Sequence, residues 1–241
     1  MLIFLEYFLI FFAVLLLRYF ATAGTFYAYY FKLQKSSESA RIMSRRPANR
    51  KQIKKEIAWS VISSVIFAFV GTITYFLWKN NLTAIYLDPS HIGYWYLPAS
   101  LVIMMLIHET YYYWLHRAMH IPQIYKRAHK VHHQSLSPSP WTAFSFHPWE
   151  SILEAVIVPL ILIFLPVNVY VLLFYLIFMT FSSVINHLDI EIYPEFFRNS
   201  WIGKLCIDAT HHHYHHKEFI TNYGLHFTFW DRWMGTESKK V

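Results

Sequence analysis

The sequence predicts an all-α integral membrane protein, with four to five transmembrane or re-entrant helices carrying a histidine-rich helical cap. Three observations predict it. The 241 residues are 56% hydrophobic and only 15% charged, against roughly 25% charged in soluble domains. The apolar residues gather in long runs with few glycines, as bilayer-crossing helices require. The polar stretches between those runs hold most of the 15 histidines, in short repeated spacings.

Taken in order, residues 2–31 form the first apolar segment, long enough for about 30 Å of hydrocarbon even when tilted. Ala21-Thr22-Ala23 looks like a signal cleavage site, but no basic residue precedes the run and its apolar character continues through Phe31. A retained transmembrane helix is therefore expected. Glu6 and Arg18 interrupt it and are assigned to the interfaces or to snorkelling. Residues 32–56 form a basic connector with Lys32, Lys35, Arg41, Arg45, Arg46, Arg50, Lys51, Lys54 and Lys55. The positive-inside rule puts it in the cytoplasm, in reach of anionic lipid heads. Because much of the net charge of +7 sits there, it reads as a topology signal, and no nucleic-acid partner is expected.

Residues 57–78 form the second span. The stretch 80–96 has almost no basic residues and many aromatics, which places it at the opposite interface, with His91 a surface residue. Residues 97–115 form the third span and run into His116 and His120 on the cytoplasmic face. Residues 121–150 are too polar to span. Residues 151–186 are apolar again, with Pro159 and Pro166 inside, so a helical hairpin turning near Leu165-Pro166-Val167-Asn168 is expected. Residues 187–241 then face the cytoplasm, in keeping with Lys239 and Lys240. The single cysteine, Cys206, excludes an internal disulfide and a cysteine-based metal site.

This topology brings every histidine cluster, with His147 and His187, to one face of the membrane. His129/His132/His133 and His212/His215/His216 share the spacing HxxHH, and His116/His120 stand at i, i+4. On helices these positions share a face, so each set is expected to point its imidazoles in one direction. His211 and His213 point off that face. Glu109 continues the His116 stripe backwards and Asp208 precedes His212 by four residues, so each is a candidate to orient a ligand histidine. His108 is assigned to the core or to partnering a ligand, and His226 to an ordinary hydrogen-bonded role. Eight clustered imidazoles exceed what one ion needs and suit two. Imidazole serves iron, zinc and copper alike. A metal transporter, or a membrane metal-binding protein without redox catalysis, is the competing class. It should place ligands near the bilayer midplane in broken helices, whereas these follow the ends of spans. A zinc hydrolase would need an open site with fewer histidines and a general base.

Four stretches carry a resemblance. They are Glu109 to His120, His129-Lys-Val-His132-His133, Phe146-His147-Pro148, and His212 through Asn222-Tyr223-Gly224 to Trp230-Asp231-Arg232 and Gly235-Thr236. In order and spacing the chain resembles the fatty acid hydroxylase superfamily, which includes sterol desaturases. Its ending is most similar to the C-5 sterol desaturase branch. The resemblance covers roughly residues 105–237. It implies an N-terminal part of membrane helices and basic cytosolic loop (1–96) and a catalytic domain (97–241) whose cytosolic cap holds two iron ions, with zinc an alternative in isolated protein. It implies His116, His120, His129, His132, His133, His212, His215 and His216 as ligands, with His187 a ninth and His147 a tenth. No catalytic residue separate from the metal ligands is implied. Many members have Asp where Glu109 stands, and Glu191 takes the place of a further histidine seen in some.

The implied activity is O2-dependent hydroxylation or desaturation of a lipid of sterol or fatty acyl type, O2 being the co-substrate. The lipid would enter among the spans, with Tyr111, Tyr113, Trp114, Trp141, Phe144 and Phe146 as pocket candidates. Cytochrome b5 or a ferredoxin, with its reductase, would supply electrons at the basic face. The protein would sit in the inner membrane of a bacterium or the endoplasmic reticulum of a eukaryote.

Overall fold

A computed structural model describes residues 1–33, 43–44 and 48–240 of the protein. Lys35, Arg41, Arg45 and Arg46 of the expected basic connector lie outside the described residues. The fold is all-α and belongs to a membrane protein. Among the described residues, three helices are long and apolar enough to cross a bilayer: 2–33, 50–79 and 169–186.

Helix α1 (Leu2–Tyr27) runs on into a wider turn, Ala28–Leu33. Helix α2 (Arg50–Lys79) starts where the Asn49 side chain accepts from the Gln52 N–H at 2.9 Å, a standard N-cap. The two pack antiparallel: Phe4 stacks on Phe76, and Tyr7 lies 4.2 Å from Tyr75 between ring centroids. Close approach is possible because α2 buries small residues at helical spacing, Ser60, Ser64, Ala68 and Thr72. Ser64 and Thr72 satisfy their hydroxyls inside the helix, donating to the carbonyls of Ser60 and Ala68, and Ser60 donates to the Trp141 carbonyl. Arg18 does not snorkel. Its guanidinium donates to the Leu176 carbonyl at 3.0 Å, because a cation within an apolar helix is stabilised by any acceptor in reach.

Helix α3 (Tyr96–Met119) is the third long helix and carries His108, Glu109, His116 and Arg117. The apolar stretch after it forms two short helices, α4 (Pro148–Ala155) and α5 (Ile157–Phe164), then a turn and α6 (Val169–Asn186). The expected hairpin is present, but its first arm is broken and α5 has only eight residues, far too few to cross a bilayer. Its turn, at β2 (Val167–Asn168), pairs in parallel with β1 (Ile85–Tyr86), and Asn168 donates to the Leu87 carbonyl. This small sheet ties the α2–α3 connection to the hairpin at the end remote from the histidine clusters.

Two apolar cores result. One joins Tyr19, Ala23, Ala143, Phe144, Phe146 and Val184, with Trp141 packed against it. The other joins Met104, Ile157, Ile161, Leu162, Val167 and Tyr175. Phe144, Phe146 and Trp141, expected as pocket residues, are thus packing residues. Tyr113 is fully buried and hydrogen-bonded to Thr236, and Tyr111 donates to the Leu153 carbonyl. Trp114 stacks edge-on against Trp230.

The last part of the chain comprises α7 (Ala209–Glu218) and α8 (Phe229–Met234). It is fastened to α3 at four points along one helical stripe. Glu109 accepts from the backbone N–H groups of Leu225, His226 and Phe227. Thr110 accepts from the Trp230 indole, Tyr113 bonds Thr236, and His116 bonds the Tyr223 carbonyl. Asp231 accepts from the Tyr223 and Gly224 N–H groups, both at 2.8 Å. Gly224 is required here, since a Cβ would stand 2.4 Å from the Phe227 carbonyl oxygen.

Candidate metal centre

Four segments meet where α3 and α6 end. The last turns of α3 bring His116 and His120. The following loop brings His129, His132 and His133. The C-terminal end of α6 brings His187, and α7 brings His212, His215 and His216. The loop is not the helix that HxxHH predicts: a tight turn carries His129, and a single 3-10 turn, His132–Gln134, carries the other two. α7 is a helix, N-capped by Asp208, whose Oδ1 accepts from the His211 N–H.

These nine rings form two groups. His116, His120, His129, His133 and His215 form one, and His132, His187, His212 and His216 the other; within each, the ligand nitrogens lie within 4.8 Å of one another. Neither HxxHH set points in one direction. His132 leaves His129 and His133 for the second group, and His215 leaves His212 and His216 for the first. On α7 the cause is geometric: consecutive residues are about 100° apart around a helix, so His215 and His216 face different ways. The two groups share both segments and lie side by side.

The rings are aimed by what stands behind them. Nδ1 of His116 donates to the Tyr223 carbonyl at 2.9 Å, that of His187 to Ser183 at 2.7 Å and that of His215 to Thr221 at 2.7 Å. His129 Nδ1 meets Glu150 Oε1 at 2.5 Å. The Nε2 atoms then face inward. His116 and His129 stand 3.1 Å apart, His129 and His133 3.0 Å, and His133 and His215 3.1 Å. In the second group His187 and His212 stand 2.8 Å apart, and His212 and His216 3.1 Å. A neutral imidazole has one N–H. Where Nδ1 already uses it, the facing Nε2 atoms present lone pair to lone pair, an arrangement that a shared cation resolves. Nitrogens about 2.1 Å from one ion stand about 3 Å from each other, so the donor set fits two histidine-bound metals.

The electrostatics agree. Burial lowers the pKa of His129, His132, His133, His212, His215 and His216 well below the ordinary value, and neighbouring rings lower it further. Burial likewise holds His187 down to about 4. The rings are therefore neutral at pH 7, the state that ligates. Burial raises Glu150 well above the carboxylate range, and a bound cation reverses that tendency.

The remaining candidates lie outside both groups. His147 caps α4 by accepting from the Trp149 N–H. Glu109 does not touch His116, because its carboxylate is taken up by the backbone of 225–227. Asp208 orients His211, not His212. It bonds His211 Nδ1 at 2.7 Å and accepts from Arg198 at 2.9 Å. Although burial opposes both shifts, these bonds hold Asp208 well below its usual value and, with Glu237, raise His211 to about 9. His213 bonds Asp189. His108 bonds the Tyr175 hydroxyl at 2.8 Å. Glu191 accepts from Thr210. Glu150 was not singled out by spacing. Its signal in the sequence is a carboxylate close behind a histidine and a proline, in the His147-Pro148-Trp149-Glu150 stretch.

The fatty acid hydroxylase model matches residues 101–236, more than half of the chain. The chain belongs to the fatty acid hydroxylase family. Within that family it falls in the sterol desaturase branch. It is 28% identical over 188 residues to a Delta(7)-sterol 5(6)-desaturase of Gibberella zeae, covering 78% of this chain and 56% of that protein. It is 30% identical to the lathosterol oxidase of Mus musculus, covering 76% of this chain and 60% of that one. To a methylsterol monooxygenase of Aspergillus fumigatus it is 34% identical, covering 58% and 47%. The chain thus spans about half to three-fifths of the length of these relatives. No solved structure matches it.

Proposed function

We propose that this member of the fatty acid hydroxylase family is a membrane-bound, O2-dependent di-iron oxidoreductase that hydroxylates or desaturates a sterol or fatty acyl lipid. The observation that carries the reading is the pair of histidine groups, five and four rings, all buried but the partly exposed His120, set side by side at the ends of the helices. The relatives named for sterol desaturation and sterol oxidation support the lipid class.

Iron bound by the two groups, with O2 and two electrons from a donor such as cytochrome b5 or a ferredoxin with its reductase, supplies the power to oxidise an unactivated C–H bond. Hydroxylation consumes one O2, two electrons and two protons and yields the alcohol and one water. Desaturation consumes the same and yields the alkene and two waters. The chain's own residues do the positioning. The carbonyls of Tyr223, Thr221 and Ser183 fix ring orientation, and Phe146 and Phe219 pack on His132 and His133 and exclude water. The histidine groups are assigned to the cytoplasmic side, of the inner membrane in a bacterium or the endoplasmic reticulum in a eukaryote, and residues 97–241 to the catalytic domain.

The test is metal content with turnover. Purified protein reconstituted with iron should hold two ions per chain and oxidise a sterol or acyl lipid only with O2 and reductant, by mass spectrometry of products. His132→Ala and His215→Ala, one from each group, should each abolish turnover. A protein with one zinc per chain, inert with iron and reductant, would refute the oxygenase reading, and turnover retained by either variant would refute the ligand assignment.

A further inference from the structure

Three of the nine rings are backed by backbone carbonyls, and one is backed by a carboxylate. Glu150 sits in the first turn of α4, 0% exposed, with Oε1 2.5 Å from His129 Nδ1. The helix that carries it is anchored on both sides of Glu150. His147 caps its start, and the next residue, Ser151, donates to Ser63 of α2 at 2.9 Å. Among the described residues no other carboxylate hydrogen-bonds any of the nine rings, and none touches the four-histidine group.

We infer that Glu150 is a positioning residue that fixes His129 as an Nε2 ligand and makes the two metal positions chemically unequal. The inference rests on the metal-centre reading above. An acceptor at Nδ1 holds the single imidazole proton there, leaving the Nε2 lone pair directed at the nitrogens of His116 and His133, 3.1 and 3.0 Å away. A carbonyl does the same for His116 and His215 with a partial charge. A carboxylate does it with a full one, which strengthens the hydrogen bond and makes the ring a better donor to a cation. With a cation bound, which favours the ionised carboxylate against the burial that opposes it, the five-histidine position therefore gains a buried negative charge in hydrogen-bonding contact with its ligand shell. The four-histidine position, whose one backed ring bonds the Ser183 carbonyl, does not.

The test uses the full-length protein in detergent, stripped of metal and titrated with cobalt(II) against a competing chelator, with the visible absorption of bound cobalt as the readout. Wild type should show two binding constants. Glu150→Gln keeps the shape and an acceptor oxygen but loses the charge, and should weaken one constant about 10–100-fold while leaving the other unchanged. Glu150→Ala should weaken the same constant at least as far. Glu154→Gln, one turn along the same helix and close enough to oppose the ionisation of Glu150, should weaken neither constant. Circular dichroism and size exclusion check that each variant is folded. Two wild-type constants in Glu150→Gln, equal weakening of both, or the same loss in Glu154→Gln would overturn the inference while leaving the metal centre standing. A wild-type protein that binds no cobalt overturns the metal-centre reading, and this inference with it.

Discussion

Each ring in the two histidine groups is held neutral by its surroundings, and that has a consequence for pH. Burial keeps His132, His212 and His216 far below their ordinary pKa in the folded protein, while in the unfolded chain they protonate near pH 6.5. The unfolded state therefore binds more protons below about pH 6.5, and the stability these groups leave intact at neutral pH is lost as pH falls through that value. His211 has the opposite sign. With a folded pKa of about 9, its contribution is full below about pH 6.5 and lost as pH rises through about 9. Metal-free protein should melt at a lower temperature at about pH 5.5 than at about pH 7.5, by intrinsic fluorescence. A constant or rising melting temperature on acidification would contradict this. Glu109 gives a second expectation at this scale. Its carboxylate is the acceptor for three backbone N–H groups, and an unpaired buried donor costs about 1–3 kcal/mol. Glu109→Ala should lower unfolding stability by at least about 3 kcal/mol, measured by denaturant titration in detergent. A loss below about 1 kcal/mol would show the carboxylate to be dispensable.

Helix α7 illustrates what the element scale adds. It carries three of the nine rings and begins at Asp208, which caps its N-terminus and also bonds His211 and Arg198. Removing a cap costs about 0.5–2 kcal/mol. Asp208→Ala should lower stability by at least that and loosen His212, seen as weaker metal retention on dialysis, whereas Asp208→Asn should keep the helix cap. Unchanged retention in Asp208→Ala would show that α7 is held by packing alone. The histidines themselves were legible in the sequence, because HxxHH and the i, i+4 pair are local patterns and the apolar runs ordered the ends of the helices. Their division into five and four was not. His132 and His133 are neighbours in sequence yet belong to different groups, and only the placement of a second segment decides which ring goes where. The roles of Glu109 and Asp208 were misread for a related reason: helical spacing reports which residues share a face, not which partner occupies it. The broken arm at α4 and α5 was likewise hidden, since a continuous apolar run does not reveal where a helix stops.

At the scale of the whole molecule the expected topology puts the histidine groups and residues 187–241 on one side of the bilayer and the 80–96 connection on the other. With Cys206→Ser as background, Lys240→Cys should react with a membrane-impermeant maleimide only after the cytoplasmic face is exposed, and Ser90→Cys only from the opposite face. Labelling of both from one face would overturn the topology. The four fastenings between α3 and the last part of the chain carry a mechanical consequence. Glu109, Thr110, Tyr113 and His116 hold residues 223–236 along about two turns of one helix. A lid needs one free edge and one hinge, and this segment has neither beside α3. These bonds favour its moving with the helix as one body. Under the proposed function, a bulky hydrophobic substrate would then have to enter along the seams between the helices.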